Sequence, residues 1–341
     1  MPVIDPHSTD APRDALIGAV LEFLGSEDVP TRQEIRHALE DVLGAAGDAA
    51  LTTLYERLSM DSGWDYYPPD AVARRIHHVL ADRFLDSGSS VHGAEHLAIT
   101  KRFPVAIFSN HLSYADANVI ELLLHRVEES DIATRLTALA GPKIFSSRQR
   151  RFSSLCFGTI KVPQSAEVST GEAVLNQREV ARAARRAIDV GRRRLTEGDV
   201  LLLFGEGTRS RSGEMKAMLP GVARYLDVPD AWVLPVGLTG PEQLYPVNDT
   251  SLRAARVVMT IGPPICVDAL FAASGHERRV AMDAVGLAIA ALLPEQYRGV
   301  YARASDYPNA ERARVVATGV DGHASPRATA ATTSRSLSKS P

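Results

Sequence analysis

The stretch Pro104-Val-Ala-Ile-Phe-Ser-Asn-His-Leu-Ser-Tyr-Ala-Asp116 decides how this chain is read. An apolar run of strand length, Pro104 to Phe108, gives way to a polar turn that holds His111. A helical pattern then opens near Asp116 and runs to about residue 126. Strand, short polar turn and helix together make the unit of an α/β fold, in which chemistry collects at strand ends. Outward from this stretch the same apolar runs recur: Leu136-Thr-Ala-Leu139, Gly158-Thr-Ile-Lys-Val162, Val200-Leu-Leu-Leu-Phe204, Trp232-Val-Leu-Pro-Val236 and Arg256-Val-Val-Met-Thr-Ile261. Helical patterns separate several of them, at about 115–126, 172–196 and 277–293. The expected architecture is α/β, a central mixed sheet flanked by helices, over residues 89–305.

Ahead of it the grammar is different. From Ala15 to about Leu85 the apolar residues repeat at helix spacing, as in Leu16, Ile17, Val20, Leu21 and Leu24, or Ile35, Leu39, Val42 and Leu43. Thr31 with Glu34 reads as a capping box opening the second of these helices. No strand pattern stands out, so a small N-terminal helical bundle is expected over 15–88, with Asp86-Ser-Gly-Ser-Ser90 as linker. Residues 1–14 are polar and expected to be disordered. In the C-terminal segment, 306–341, disorder is expected from about residue 320. Residues 321–341 hold eight Ser or Thr and a single large apolar residue, Leu337, and cannot offset their ordering entropy.

Composition narrows the functional classes. The 341 residues carry a formal charge of −3, which argues against a dedicated nucleic-acid binder. Two cysteines, Cys156 and Cys266, build neither a disulfide framework nor a cysteine zinc site. No apolar run reaches the roughly 18 residues of a membrane span, and the first residues lack a signal-peptide pattern. A cytoplasmic protein is expected, with peripheral contact to the inner membrane face as its membrane option.

Two segments carry chemistry. In the first, His111 lies in a turn and Asp116 where a helix begins. The carboxylate can accept the imidazole Nδ1–H, fix the tautomer and leave Nε2 as a general base. No protein nucleophile accompanies the pair, so the nucleophile would be a substrate hydroxyl. An Asp capping its helix beside a hydrogen-bonded turn histidine has the same spacing, and the pattern alone leaves both readings open. The second segment, Phe204-Gly-Glu-Gly-Thr-Arg-Ser210, follows another apolar strand. Its glycines permit close backbone approach, and the Thr208 hydroxyl and Arg209 fork suit a phosphate. Walker spacing is absent, so it is not a P-loop.

Taken together, His111–x4–Asp116 and Glu206-Gly-Thr-Arg209 resemble the glycerolipid O-acyltransferase superfamily over roughly residues 90–300. Gly158-Thr-Ile-Lys-Val-Pro-Gln164 and Val233-Leu-Pro-Val236 fall where that family has two further blocks. The resemblance implies transfer of a fatty acyl group from acyl-CoA or acyl carrier protein to the hydroxyl of glycerol-3-phosphate or 1-acylglycerol-3-phosphate, with no cofactor. His111 would be the base and Asp116 its orienter. Glu206, Gly207, Thr208 and Arg209 would hold the acceptor, with Lys161 and Lys143 helping with anionic groups. Two departures stand out: Gly205 replaces the family's usual Pro, and Gln164 stands where a phosphate-binding Arg is usual. A neutral amide cannot replace a guanidinium fork. Two rivals follow, an acyltransferase acting on a non-phosphate alcohol or specialised lipid, and a non-catalytic lipid-binding protein on the same fold.

The remaining charged and histidine clusters read more weakly. Residues 141–152 carry Lys143, Arg148, Arg150 and Arg151 without an acid, and Arg178, Arg182 and Arg186 share a helical face. Such faces suit anionic lipid or the phosphates of coenzyme A, and equally a solvated surface. His77-His78 and His92-x3-His96 have ligand spacing, but no carboxylate pattern completes a metal site, so none is expected.

Overall fold

In the computed structural model the described residues are 11–23, 29–59, 63–127, 130–146, 148–163, 176–244, 246, 253–303 and 309–320. Four helices come first: α1 (Ala11–Phe23), α2 (Val29–Gly44), α3 (Asp48–Ser59) and α4 (Ala71–Phe84). Between α3 and α4 lies a two-residue strand, β1 (Tyr66–Tyr67). The α/β part follows with β2 (Ser90–His92), β3 (Val105–Ser109), α5 (Asp116–Arg126), α6 (Ser130–Thr134), β4 (Leu136–Ala140), α7 (Arg148–Leu155), β5 (Gly158–Lys161) and α8 (Gln177–Thr196). Next come β6 (Val200–Phe204), β7 (Trp232–Thr239), α9 (Pro241–Leu244), β8 (Val258–Ile261), β9 (Ile265–Cys266), α10 (Val267–Ala273), α11 (Arg278–Ala291) and α12 (Ala310–Val320).

The strands form one mixed sheet in the order β1-β5-β4-β6-β3-β7-β8-β2, with β9 paired to β7. Its centre, β5-β4-β6-β3-β7, is parallel. The edges turn antiparallel, where β8 meets β7 and β1 meets β5. Alternation along the central strands divides the core. Val105 and Ile107 of β3, with Val200 and Leu202 of β6, enter one apolar layer with α5. Ala106, Phe108, Leu201 and Leu203 enter the other, under α8 and α11. Burial on both faces is why these strands read as near-continuous apolar runs.

Helices α1 to α4 lie on the first layer. Leu16, Leu39, Leu54 and Ile76 belong to the same contiguous apolar cluster as Val119 and Leu122 of α5. Asp70 caps α4 by accepting from the Val72 and Ala73 amides at 2.9 and 3.1 Å, and Arg57 of α3 pairs with it at 3.0 Å.

Three expectations are corrected. Helix α1 opens at Ala11, so residues 11–14 are helical rather than disordered. Helix α2 opens at Val29, which puts Thr31 inside its first turn, and Glu34 pairs instead with Arg83 of α4. The stretch read as wholly helical holds β1, whose two residues pair with Thr159 and Ile160 of β5. Two residues are too short for any period to show, and their partner lies far along the chain. The expected disordered tail from about 320 lies outside the described residues, whereas α12 before it packs through Ala313 and Val316 into the second apolar layer.

Candidate active site

Parallel strands end at one edge of the sheet, so the turns after β3, β4, β5 and β6 lie side by side. Ser109, the last residue of β3, is in register with Phe204, the last of β6. This neighbourhood joins the two chemistry-bearing segments.

His111 follows β3 by two residues and Asp116 is the first residue of α5. His111 Nδ1 lies 2.8 Å from Asp116 Oδ2. The carboxylate can only accept here, so Nδ1 carries the proton and Nε2 keeps its lone pair. Among the described residues no group hydrogen-bonds Nε2, and the imidazole remains 18% exposed. Asp116 is wholly buried, and it also accepts the amides of Leu112 (2.6 Å to Oδ2) and Ser113 (2.9 Å to Oδ2, 3.0 Å to Oδ1). The helix-cap reading is not realised, since Ala115 is the N-cap of α5 and Asp116 accepts from the turn ahead of the helix: one carboxylate closes that turn and holds the histidine.

Glu206 departs from its expected place. It is 4% exposed, and its two oxygens are taken by backbone: Oε1 accepts the His111 N–H at 2.9 Å, Oε2 the Lys216 N–H at 2.8 Å. The His111 carbonyl in turn accepts the Ser210 amide at 2.8 Å. The His111 peptide is thus held on both sides by the second segment, its N–H by Glu206 and its carbonyl by Ser210. Burial pushes the Glu206 carboxyl up to about 7, against the pull of those amides.

The rest of that turn is shaped around contacts behind it. Gly207 has φ +72°, which a side chain rarely tolerates. At Gly205 a Cβ would lie 2.3 Å from Met218 Sδ, so Met218 fills the space that a side chain there would need. Thr208 and Arg209 are half-buried. The Arg209 guanidinium lies 4.2 Å over the Tyr114 ring, and its Nη1 is buried with no hydrogen-bond partner among the described residues.

The two lysines sit farther along the edge. Lys161 ends β5, three strands from β3, which at about 4.8 Å per strand is roughly 14 Å away. Its ammonium lies 4.8 Å from the Trp64 ring centre and 5.0 Å from that of Phe145. Lys143 is in the turn after β4, where its carbonyl accepts from Arg150 at 3.4 Å. Gln164 lies outside the described residues. Much of the basic stretch at 141–152 serves the protein itself. Arg151 donates to the Leu58 and Phe145 carbonyls, Arg148 lies over Tyr55 and Arg150 over Tyr114. On α8, Arg178 and Arg182 are exposed, while Arg186 pairs with Asp65.

Three contributors went unseen in the sequence. Phe204 stacks on the His111 ring with centroids 4.3 Å apart at 19°. Asn110 is wholly buried and pairs like a backbone amide with Leu238 of β7, at 2.9 and 2.8 Å, fixing the end of β3. Tyr114 carries Arg209. All three are inside the quoted segments, yet only the packing of β3 against β6 and β7 gives them a task. The carboxylate missing from the His77-His78 pattern also appears, as Glu121 of α5.

Beside α5 lies an apolar pocket of about 140 Å³ that is partly open to solvent. Leu16, Val20, Phe84, Val119 and Leu122 line it, and it reaches Ala115, the residue before Asp116. Among the described residues no helix is long and apolar enough to cross a membrane.

Three comparisons with known proteins were informative to different degrees. No curated protein matches the chain. A solved structure, that of the 1-acyl-sn-glycerophosphate (LPA) acyltransferase PlsC from Thermotoga maritima, is similar with a TM-score of 0.45 at 18% identity, covering 82% of this chain and 97% of that one. The model of the family described as Acyltransferase matches residues 88–239, which span β2 to β7 and hold His111, Asp116, Glu206 and Arg209. Over that segment, a little under half of the chain, this protein is similar to acyltransferases.

Proposed function

We propose that this protein transfers a fatty acyl group from an acyl thioester, acyl-CoA or acyl carrier protein, to the hydroxyl of glycerol-3-phosphate or 1-acylglycerol-3-phosphate. The observation that carries the reading is the 2.8 Å contact of His111 Nδ1 with a buried Asp116, which leaves Nε2 as the accessible base. The acceptor oxygen attacks the thioester carbonyl as Nε2 takes its proton. Asp116 supports the imidazolium that forms. The carbon–sulfur bond then breaks, the proton passes to the leaving thiolate, and an ester and a free thiol result. General-base assistance is worth about 10²–10⁴-fold, so much of the acceleration rests on alignment of the two substrates.

Two further features support the substrate classes. The unpartnered Nη1 of Arg209, with its guanidinium set over Tyr114, suits a phosphate beside the reacting hydroxyl. The apolar cavity against α5 suits an acyl chain. Exposed Arg178, Arg182 and Arg185 on α8 offer an anionic membrane a peripheral contact.

The test is release of free thiol from palmitoyl-CoA and palmitoyl-acyl carrier protein by the purified chain. Glycerol-3-phosphate, lysophosphatidate, a neutral alcohol or no acceptor is supplied, beside a His111→Ala control. Release that depends on a phosphate acceptor and disappears in the control supports the proposal and names the acceptor. Release with the neutral alcohol alone transfers the reading to a non-phosphate substrate, in keeping with Gln164. Absence of turnover with every acceptor and both donors would leave a lipid-binding protein.

A further inference from the structure

On the far side of α5 from its catalytic first turn, two helices bring together a group that acyl transfer does not use. His77 and His78 of α4 both reach Glu121 of α5. Their Nε2 atoms lie 3.2 and 3.1 Å from the same oxygen, Glu121 Oε2. All three ligand atoms fall within 4.8 Å of one another. Glu121 is wholly buried, and the imidazoles are 11% and 22% exposed. Consecutive residues on a helix point about 100° apart. Two adjacent imidazoles meeting at one oxygen therefore reflect the α4–α5 interface rather than the helix that carries them.

We propose that His77, His78 and Glu121 form a binding site for one zinc-class divalent ion that clamps α4 to α5. Zinc takes imidazole nitrogen and carboxylate oxygen at about 2.0–2.2 Å in tetrahedral geometry, which puts neighbouring ligands about 3.3–3.5 Å apart. The two nitrogen–oxygen separations here fall a few tenths of an ångström short of that edge. The Asn118 carbonyl, 3.0 Å from His77 Nε2, or a water supplies the fourth ligand. Two nitrogens in the set disfavour calcium and magnesium, which prefer oxygen cages.

The surroundings are those of a ligand set held in place. Arg74 Nε lies 3.4 Å from Glu121 Oε1 and donates to the Cys156 carbonyl at 2.9 Å, orienting the carboxylate from behind. Its charge opposes a second cation and sets a ceiling on affinity. His125, one turn beyond Glu121, stacks on His78 with centroids 4.5 Å apart and steadies that ring. Both imidazoles would present Nε2 to the ion, as neutral imidazole ligands do. Because α5 begins at Asp116, the ion would tie the N-terminal helices to the element that carries the orienting carboxylate.

Untagged, chelator-treated full-length protein tests this. Zn²⁺ alone is titrated by calorimetry and Co²⁺ by visible absorption, with melting followed at saturating Zn²⁺. The wild type should bind one equivalent, show the d–d bands of four-coordinate nitrogen and oxygen ligation, and melt at a higher temperature. His78→Asn alone, at the most exposed ligand, and Glu121→Gln should each weaken binding at least tenfold and abolish the thermal shift. Zinc anomalous scattering from wild-type crystals decides the matter without any variant. Density at Glu121 supports the site; density elsewhere, wild-type failure to bind, or unchanged binding in His78→Asn overturns it.

Discussion

Glu206→Gln separates a brace from an acceptor-binding carboxylate. In the wild type both oxygens accept buried backbone amides, from His111 at 2.9 Å and Lys216 at 2.8 Å. Glutamine retains one acceptor and turns an NH₂ toward the other N–H, so one buried bond is lost at a cost of about 1–3 kcal/mol. Against this, glutamine has no charge to bury. The Glu206 carboxyl is raised from 4.5 to about 7, chiefly by burial. The folded state thus holds a proton that the unfolded chain gives up above pH 4.5. Stability falls as pH rises from there and levels off above 7, a loss of about 3 kcal/mol at 1.36 kcal/mol per unit. The variant lacks that slope. It should melt below the wild type at pH 5.5 and level with it, or above it, at pH 8.5.

The same variant should lower kcat. If the whole lost bond displaces His111 in the transition state, the fall is about 10- to 100-fold, since each 1.36 kcal/mol is tenfold. KM for the acceptor should hold, because both oxygens are already occupied. Thiol release at varied acceptor concentration, with melting curves at the two pH values, reads both quantities. A raised KM at unchanged kcat, together with a melting difference that does not vary with pH, would refute the brace.

Other consequences can be measured alongside. His111→Ala should abolish acceptor-dependent thiol release, and Asp116→Asn should lower kcat by about 10²–10⁴-fold while also lowering the melting temperature, because the three donors on Oδ2 lose their charged acceptor and an NH₂ in place of Oδ1 faces the Ser113 N–H. Gly205→Ala should destabilise by about 1–3 kcal/mol in denaturant unfolding, since its Cβ meets Met218 Sδ at 2.3 Å, and Met218→Ala should relieve part of that cost in the double variant. Arg209→Lys should raise KM for a phosphate acceptor nearly as much as Arg209→Ala, because an ammonium offers no planar fork to set over Tyr114. Val119→Trp, which fills the cavity against α5, should reduce turnover of palmitoyl donors more than that of short-chain donors in a chain-length series.

Much of this protein can be read from residues a few positions apart. The apolar runs at 104–108, 136–139 and 200–204 mark β3, β4 and β6 nearly to the residue, because burial on both faces leaves an unbroken apolar signature. His111 and Asp116 are five positions apart, and a strand-to-helix turn is enough to bring them together. The strand β1 and the true start of α2 escaped, the first being too short for periodicity and the second lying ahead of the cap pattern that suggested it.

What the sequence by itself determined is the set of local units and the His–Asp pair, since hydrophobic period and turn chemistry act over a single turn or strand. What only the tertiary structure decided is which units become neighbours. Pairing of β3 with β6 sets the Glu206 carboxylate on the His111 amide across 95 residues, a contact that the sequence reading did not foresee. Packing of α4 on α5 gives His77 and His78 the carboxylate their pattern lacked. Strand order and helix docking are fixed by burial of the whole apolar surface at once, and no short window of sequence carries that sum.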